Sequence, residues 1–172
     1  MNKHCGFSLV EAMVVLVIFA LIITFGIPAF SSWNKRHGVE GQISKLYSDL
    51  QFIRMKAYSK VACGIDWGDS NSFNKYSIKS DCNDKTDEEC NNGDFADPSD
   101  EIELVNLEYT ITAKFSTGNN IRFDGRGYPS KLGSFYIAAP SNAANNCVKV
   151  SETRILMGKW DASAEKCVID SK

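Results

Sequence analysis

The chain has 172 residues, 44% of them hydrophobic and 23% charged, with a net charge of −2. That length holds one ordinary domain plus an appendage, and no strong basic or acidic balance marks the whole as a nucleic-acid or membrane-surface binder. Only two histidines are present, His4 and His37. Everything after residue 60 is therefore without imidazole, which excludes Ser/His/Asp and Cys/His nucleophile systems and histidine-ligated metal there. No Walker loop, GxGxxG, GxSxG or CxxC pattern occurs either.

The averages hide an asymmetry. Residues 7–30 (FSLVEAMVVLVIFALIITFGIPAF) carry one charged side chain, Glu11, whereas residues 81–101 carry nine acids and one base. At about 1.5 Å per residue, helical residues 7–30 are roughly 36 Å long against a hydrocarbon thickness of about 30 Å, enough to cross a membrane. Gly26-Ile27-Pro28 offers no small-residue cleavage pattern after the apolar run. Cys5 precedes that run, so a lipoprotein signal does not fit either. What is left is a short polar leader, MNKHCG, in which Lys3 holds the leader on the cytoplasmic side. Glu11 is anomalous, since an acid inside a spanning helix costs about 2.5 to 3.5 kcal/mol. A partner is expected for it: cleavage after Gly6 would leave a free amine on Phe7, one helical turn away.

Residues 39–57 carry apolar side chains at Val39, Ile43, Leu46, Leu50, Ile53 and Ala57, spaced 4, 3, 4, 3, 4. That is the stripe of an amphipathic helix. With fewer than three heptads and no systematic charge pairing beside it, the stripe is expected to pack on its own domain, not in a coiled coil.

Beyond Lys60 the pattern becomes short β-type runs separated by Gly, Asn, Asp and Ser. Strands are expected at residues 61–67, 75–79, 104–115, 120–123, 134–138, 147–150, 155–160 and 167–169. Hairpin turns are expected at residues 116–119 and 124–127. The fold class is thus α+β: one long N-terminal helix, half transmembrane and half amphipathic, followed by an antiparallel β domain. The divisions are 1–6 leader, 7–30 transmembrane and assembly helix, 31–60 amphipathic continuation, and 61–172 β-rich domain.

Five cysteines follow the leader. The most local pairing joins Cys82 to Cys90 and Cys147 to Cys167, leaving Cys63; the alternative pairs Cys63 with Cys82 or Cys90. Such bridges persist in an oxidising compartment. The acidic stretch concentrates oxygen ligands but departs from the EF-hand spacing, with Lys85 at a ligand position counted from Asp81. It is read as a solvated loop pinned by a disulfide, with no metal and no cofactor.

The segment GFSLVEAMVVLVIFALI, with Gly6, Phe7 and Glu11 in register, resembles the N-terminal signature of type IV prepilins and type II secretion pseudopilins. Residues 121–127, IRFDGRG, are similar to the GspH/FimT branch. The resemblance implies a structural subunit and not an enzyme. A prepilin peptidase would cut between Gly6 and Phe7 and methylate Phe7, Glu11 would act in assembly, and Pro28 stands where many members have a helix-bending proline. It further implies a single-pass inner-membrane protein with its C-terminal domain in the periplasm, then a pilus or pseudopilus of like subunits. The FimT side of the family implies DNA binding as the competing function. Residues 114–172 carry nine bases and five acids, and Arg126, Arg154 and Lys159 are the candidates for phosphate contact. The sequence lacks the family's Gly-Arg-x-Arg motif, reading Glu152-Thr153-Arg154-Ile155-Leu156 instead.

Overall fold

The computed structural model describes residues 8–58, 63–80, 101–138 and 143–169. Helix α1 spans Leu9–Ala57, and the strands follow as β1 (Cys63–Asp66), β2 (Ser72–Ser80), β3 (Glu101–Phe115), β4 (Asn120–Phe123), β5 (Gly133–Tyr136), β6 (Cys147–Val150), β7 (Ile155–Asp161) and β8 (Lys166–Val168). Each expected strand is present, with ends shifted by up to three residues. Two compact units divide between Arg36 and His37.

The first unit carries the apolar part of α1. It is long and apolar enough to cross a membrane, and none of that stretch is buried. From Leu9 to Thr24 every side chain is exposed.

In the second unit the strands form one sheet in the order β4-β1-β2-β3-β5-β6-β7-β8, with every neighbouring pair antiparallel. The stripe Val39, Ile43, Leu46, Leu50, Ile53 and Ala57 is completely buried and joins the core of this sheet. Sheet residues on the other side of that core alternate as a half-covered sheet demands: Phe73, Tyr76 and Ile78 on β2 are buried while Ser72, Asn74 and Lys75 are exposed. Trp67 anchors an aromatic cluster, stacked on Phe73 with centroids 5.9 Å apart and meeting Phe135 edge-on at 5.2 Å.

The expected hairpin at residues 116–119 is corrected: it joins β3 to β4, which are not neighbours. A four-residue turn between two β-runs reads as a hairpin only if the runs pair. Here β3 is flanked by β2 and β5, while Ile121 and Phe123 of β4 oppose Ile65 and Cys63 of β1. The chain crosses the ends of β2 and β1, and the Trp67 amide donates to the Asn119 carbonyl on the way. Residues 124–127 do reverse the chain: the Gly127 amide donates to the Asp124 carbonyl at 2.8 Å, with Gly127 at a φ of 75°. The returning chain bridges Pro129 to Phe123, and the Ser130 amide donates to the Arg122 carbonyl. It covers an edge strand that would otherwise offer unpaired backbone groups.

One polar contact reaches from α1 to the sheet core. The Tyr76 hydroxyl, 1% exposed, donates to Asp49 Oδ2 at 2.5 Å. Burial raises the Tyr76 pKa well above the ordinary value of a phenol, and the Asp49 carboxylate raises it further. A folded-state pKa above the unfolded one contributes stability that is complete below about pH 10 and lost as pH climbs past it. The urea midpoint is therefore expected to fall above about pH 10, with a slope approaching 1.4 kcal/mol per pH unit from this group. Tyr76→Phe should remove that part of the slope; an unchanged alkaline slope in the variant would refute the assignment.

Candidate functional site: the N-terminal segment and the C-terminal clamp

The processing residues Gly6 and Phe7 lie outside the described residues. Glu11 lies in the first turn of α1, exposed. A carboxylate there faces the positive end of the helix dipole, which favours it. Ser8 immediately precedes the helix, and its carbonyl accepts the first helical bond, from the Ala12 amide at 3.1 Å. Ser8-Leu9-Val10-Glu11 has the S-x-x-E spacing of a capping box. Its signal stands in the sequence, just ahead of the apolar run, and gives Glu11 a local place at the helix start beside its expected role between subunits. Pro28 lies inside α1, where it has no amide hydrogen for the Thr24 carbonyl four residues back. The Thr24 hydroxyl itself donates to the Ala20 carbonyl at 2.7 Å.

At the other end of the chain Cys147 and Cys167 form a disulfide with Cα atoms 5.9 Å apart. The buried Cys63 thiol donates to Ser80 Oγ at 3.4 Å, across the β1–β2 pair. Cys82 and Cys90 fall outside the described residues, as does nearly all of the acidic loop. Among the described residues no cluster of His, Cys, Asp or Glu could hold a metal ion.

Sequence reasoning missed Asn146. It is buried, donates to the Ile137 carbonyl at 3.0 Å and accepts from the Trp160 amide at 2.7 Å, so one side chain ties the exit of β5 to β7. This places Trp160 flat on Tyr136, with centroids 3.7 Å apart. The Lys114 ammonium lies 5.8 Å from the Trp160 centroid and pairs with Glu165. An Asn before a β-run carries no pattern that announces this.

The candidate DNA contacts are not brought together. Arg126 sits in the turn beyond β4 at one edge of the sheet, 3.7 Å from Asp124. Arg154 is exposed before β7, and Lys159 is on β7 itself, at the far side of the strand order. Asp124 is held below the usual carboxylate range chiefly by the Tyr128 amide, with the Arg126 amide and charge adding to it. Arg126 thus already stands beside an ionised partner.

The prokaryotic N-terminal methylation motif matches residues 1–27. That motif leads into one long helix and then an antiparallel sheet, the order of elements that the resemblance to type IV pilins implies. Among solved structures the type IV minor pilin FimU of Pseudomonas aeruginosa PAO1 is similar, at 16% identity and a TM-score of 0.47, over 75% of this chain and 96% of that one. No curated protein matches the sequence.

Proposed function

We propose that the chain is made as a membrane-inserted precursor, cut between Gly6 and Phe7 by a prepilin peptidase, methylated on Phe7 and packed through its N-terminal helix with other pilin subunits. The filament is a type II secretion pseudopilus or a type IV pilus. The supporting observation is that the methylation motif runs directly into an apolar stretch of helix whose side chains are exposed from Leu9 to Thr24. Such a surface needs lipid first and other helices afterwards. The Phe7 amine and the Glu11 carboxylate would pair in a bundle of low dielectric, where either charge alone is costly. The leader is residues 1–6, the membrane and assembly helix 7–30, its amphipathic continuation 31–60 and the exported domain 61–172. The inner membrane holds the single span with the C-terminal domain in the periplasm, a compartment where the Cys147–Cys167 disulfide persists.

Gly6→Leu is expected to leave an unprocessed membrane protein, heavier by the leader peptide, whereas the wild-type mature chain should begin at methylated Phe7 by mass spectrometry. A mature N-terminus after residue 30 would overturn the proposal. Glu11→Ala should still insert and be cut, yet stay out of filaments recovered from the cell surface or from a secretion-competent envelope.

A further inference from the structure

A helix that leaves the hydrocarbon must cross the headgroup layer, and the residues at that point of α1 have a composition of their own. At about 1.5 Å per residue, helical residues 7–30 are long enough for the roughly 30 Å of hydrocarbon, and the apolar run ends at Phe30, which marks one boundary. Trp33 is then about 4.5 Å beyond Phe30, inside the roughly 5–8 Å headgroup layer, and Arg36 about 9 Å, at its outer edge. All side chains from residue 31 to residue 36 are exposed. Trp33 is 56% exposed, and its ring rests against Phe30 with centroids 6.0 Å apart. From residue 12 to residue 39 there is no acid, and Lys35 and Arg36 are the bases.

We propose that Trp33, Lys35 and Arg36 form a collar that binds the phosphate headgroups of anionic phospholipids in the leaflet at the Phe30 end of the span; this rests on the membrane-spanning reading above. The guanidinium of Arg36 offers paired N–H donors that fit a phosphate, and the Lys35 ammonium adds a point charge. The indole of Trp33 is apolar along its body with one N–H donor, the chemistry that settles at the border of acyl chains and headgroups. The collar fixes the depth of the span, and its headgroup contacts are among those that leaving the membrane must break.

The test uses the full-length chain in nanodiscs of phosphatidylcholine with phosphatidylglycerol, extracted in neutral detergent and examined by native mass spectrometry for retained lipid. Phosphatidylglycerol is expected to be enriched over its bulk share. Lys35→Gln with Arg36→Gln is expected to weaken its retention about thirtyfold, and either change alone about fivefold. Equal retention of the two lipids by the wild type would overturn the collar, as would displacement of phosphatidylglycerol by millimolar inorganic phosphate, which would mark a free-anion site. Alkaline carbonate separates the two readings. A wild-type chain released as a soluble protein would sink the spanning reading itself, whereas a chain that stays inserted without lipid preference would sink the collar alone.

Discussion

Cys147→Ala combined with Cys167→Ala is expected to destabilise the second unit by about 3 kcal/mol and to free the last strand before the rest of the sheet opens. The magnitude follows from a loop closed over a sequence separation of 20, which in the loop-entropy account restricts the unfolded chain by that amount. The localisation follows from topology. Strand β8 has three residues and pairs with β7 alone, at Lys159, Trp160 and Asp161. Cys147 on β6 opposes Gly158, and Cys167 opposes Trp160, so the bond reaches from β6 to β8 past the strand between them. In a flat sheet two strand spacings are about 9.6 Å. A Cα separation of 5.9 Å means that the β7–β8 hairpin folds over the face of the sheet. Gly158 lies under that fold: a Cβ there would come 2.2 Å from the Val168 carbonyl oxygen, a backbone atom that cannot rotate away. The connecting turn has Glu165 at a φ of 46°, unfavourable for a residue with a side chain. Besides its short ladder to β7, the disulfide and the Lys114–Glu165 pair hold β8 and its turn to the sheet. Hydrogen exchange should show early loss of protection at residues 159–168 in the double variant and in Gly158→Ala, with β1, β2 and β3 still protected. Protection that survives at those residues in both proteins would show that β8 does not depend on the clamp.

These features differ in how far the sequence announces them. The stripe from Val39 to Ala57 was legible because a helix repeats every 3.6 residues and each stripe residue is buried. Strand positions were legible too, as apolar alternation depends on neighbours along the chain. Strand partners depend on distant residues. The hairpin read at residues 116–119 therefore failed, since Ile121 and Phe123 find their places beside Ile65 and Cys63, more than fifty residues earlier. The Cys147 and Cys167 pairing needed only the order of the last three strands. In the N-terminal segment Glu11 stood out as the lone charge in an apolar run, while the capping spacing from Ser8 passed unnoticed beneath that anomaly. Asn146 and Gln42 gave no signal of any kind, because each acts through backbone groups whose positions are set by the tertiary fold.

Gln42→Ala is expected to cost about 2–3 kcal/mol. Between Phe73 and Lys75 the register slips, so two steps along β2 oppose five along β3, from Ile111 to Asn106. The surplus residues of this bulge cannot all reach a β2 partner. Gln42 meets them instead: its side-chain oxygen accepts from the Glu108 and Tyr109 amides, both at 2.9 Å, and its nitrogen donates to the Tyr109 carbonyl at 2.6 Å. Truncation strands three backbone groups, each costing about 1–3 kcal/mol if fully buried; partial exposure of the site lets water recover part of that. The bulge also sets Tyr109 against Gly38, whose added Cβ would lie 2.7 Å from the tyrosine oxygen. Loosening β3 there should release Tyr109 as well. Gln42→Glu retains the two acceptor bonds but cannot donate to the Tyr109 carbonyl, and a smaller loss is expected. Gln51→Ala is the matched control on the same helix, since that amide donates to the Tyr47 hydroxyl one turn earlier and not to the sheet; its expected cost is about 0.5–1 kcal/mol. Urea midpoints at one pH rank the three variants. A Gln42→Ala midpoint no lower than that of Gln51→Ala would mean that the bulge holds its shape without the side chain that fills it.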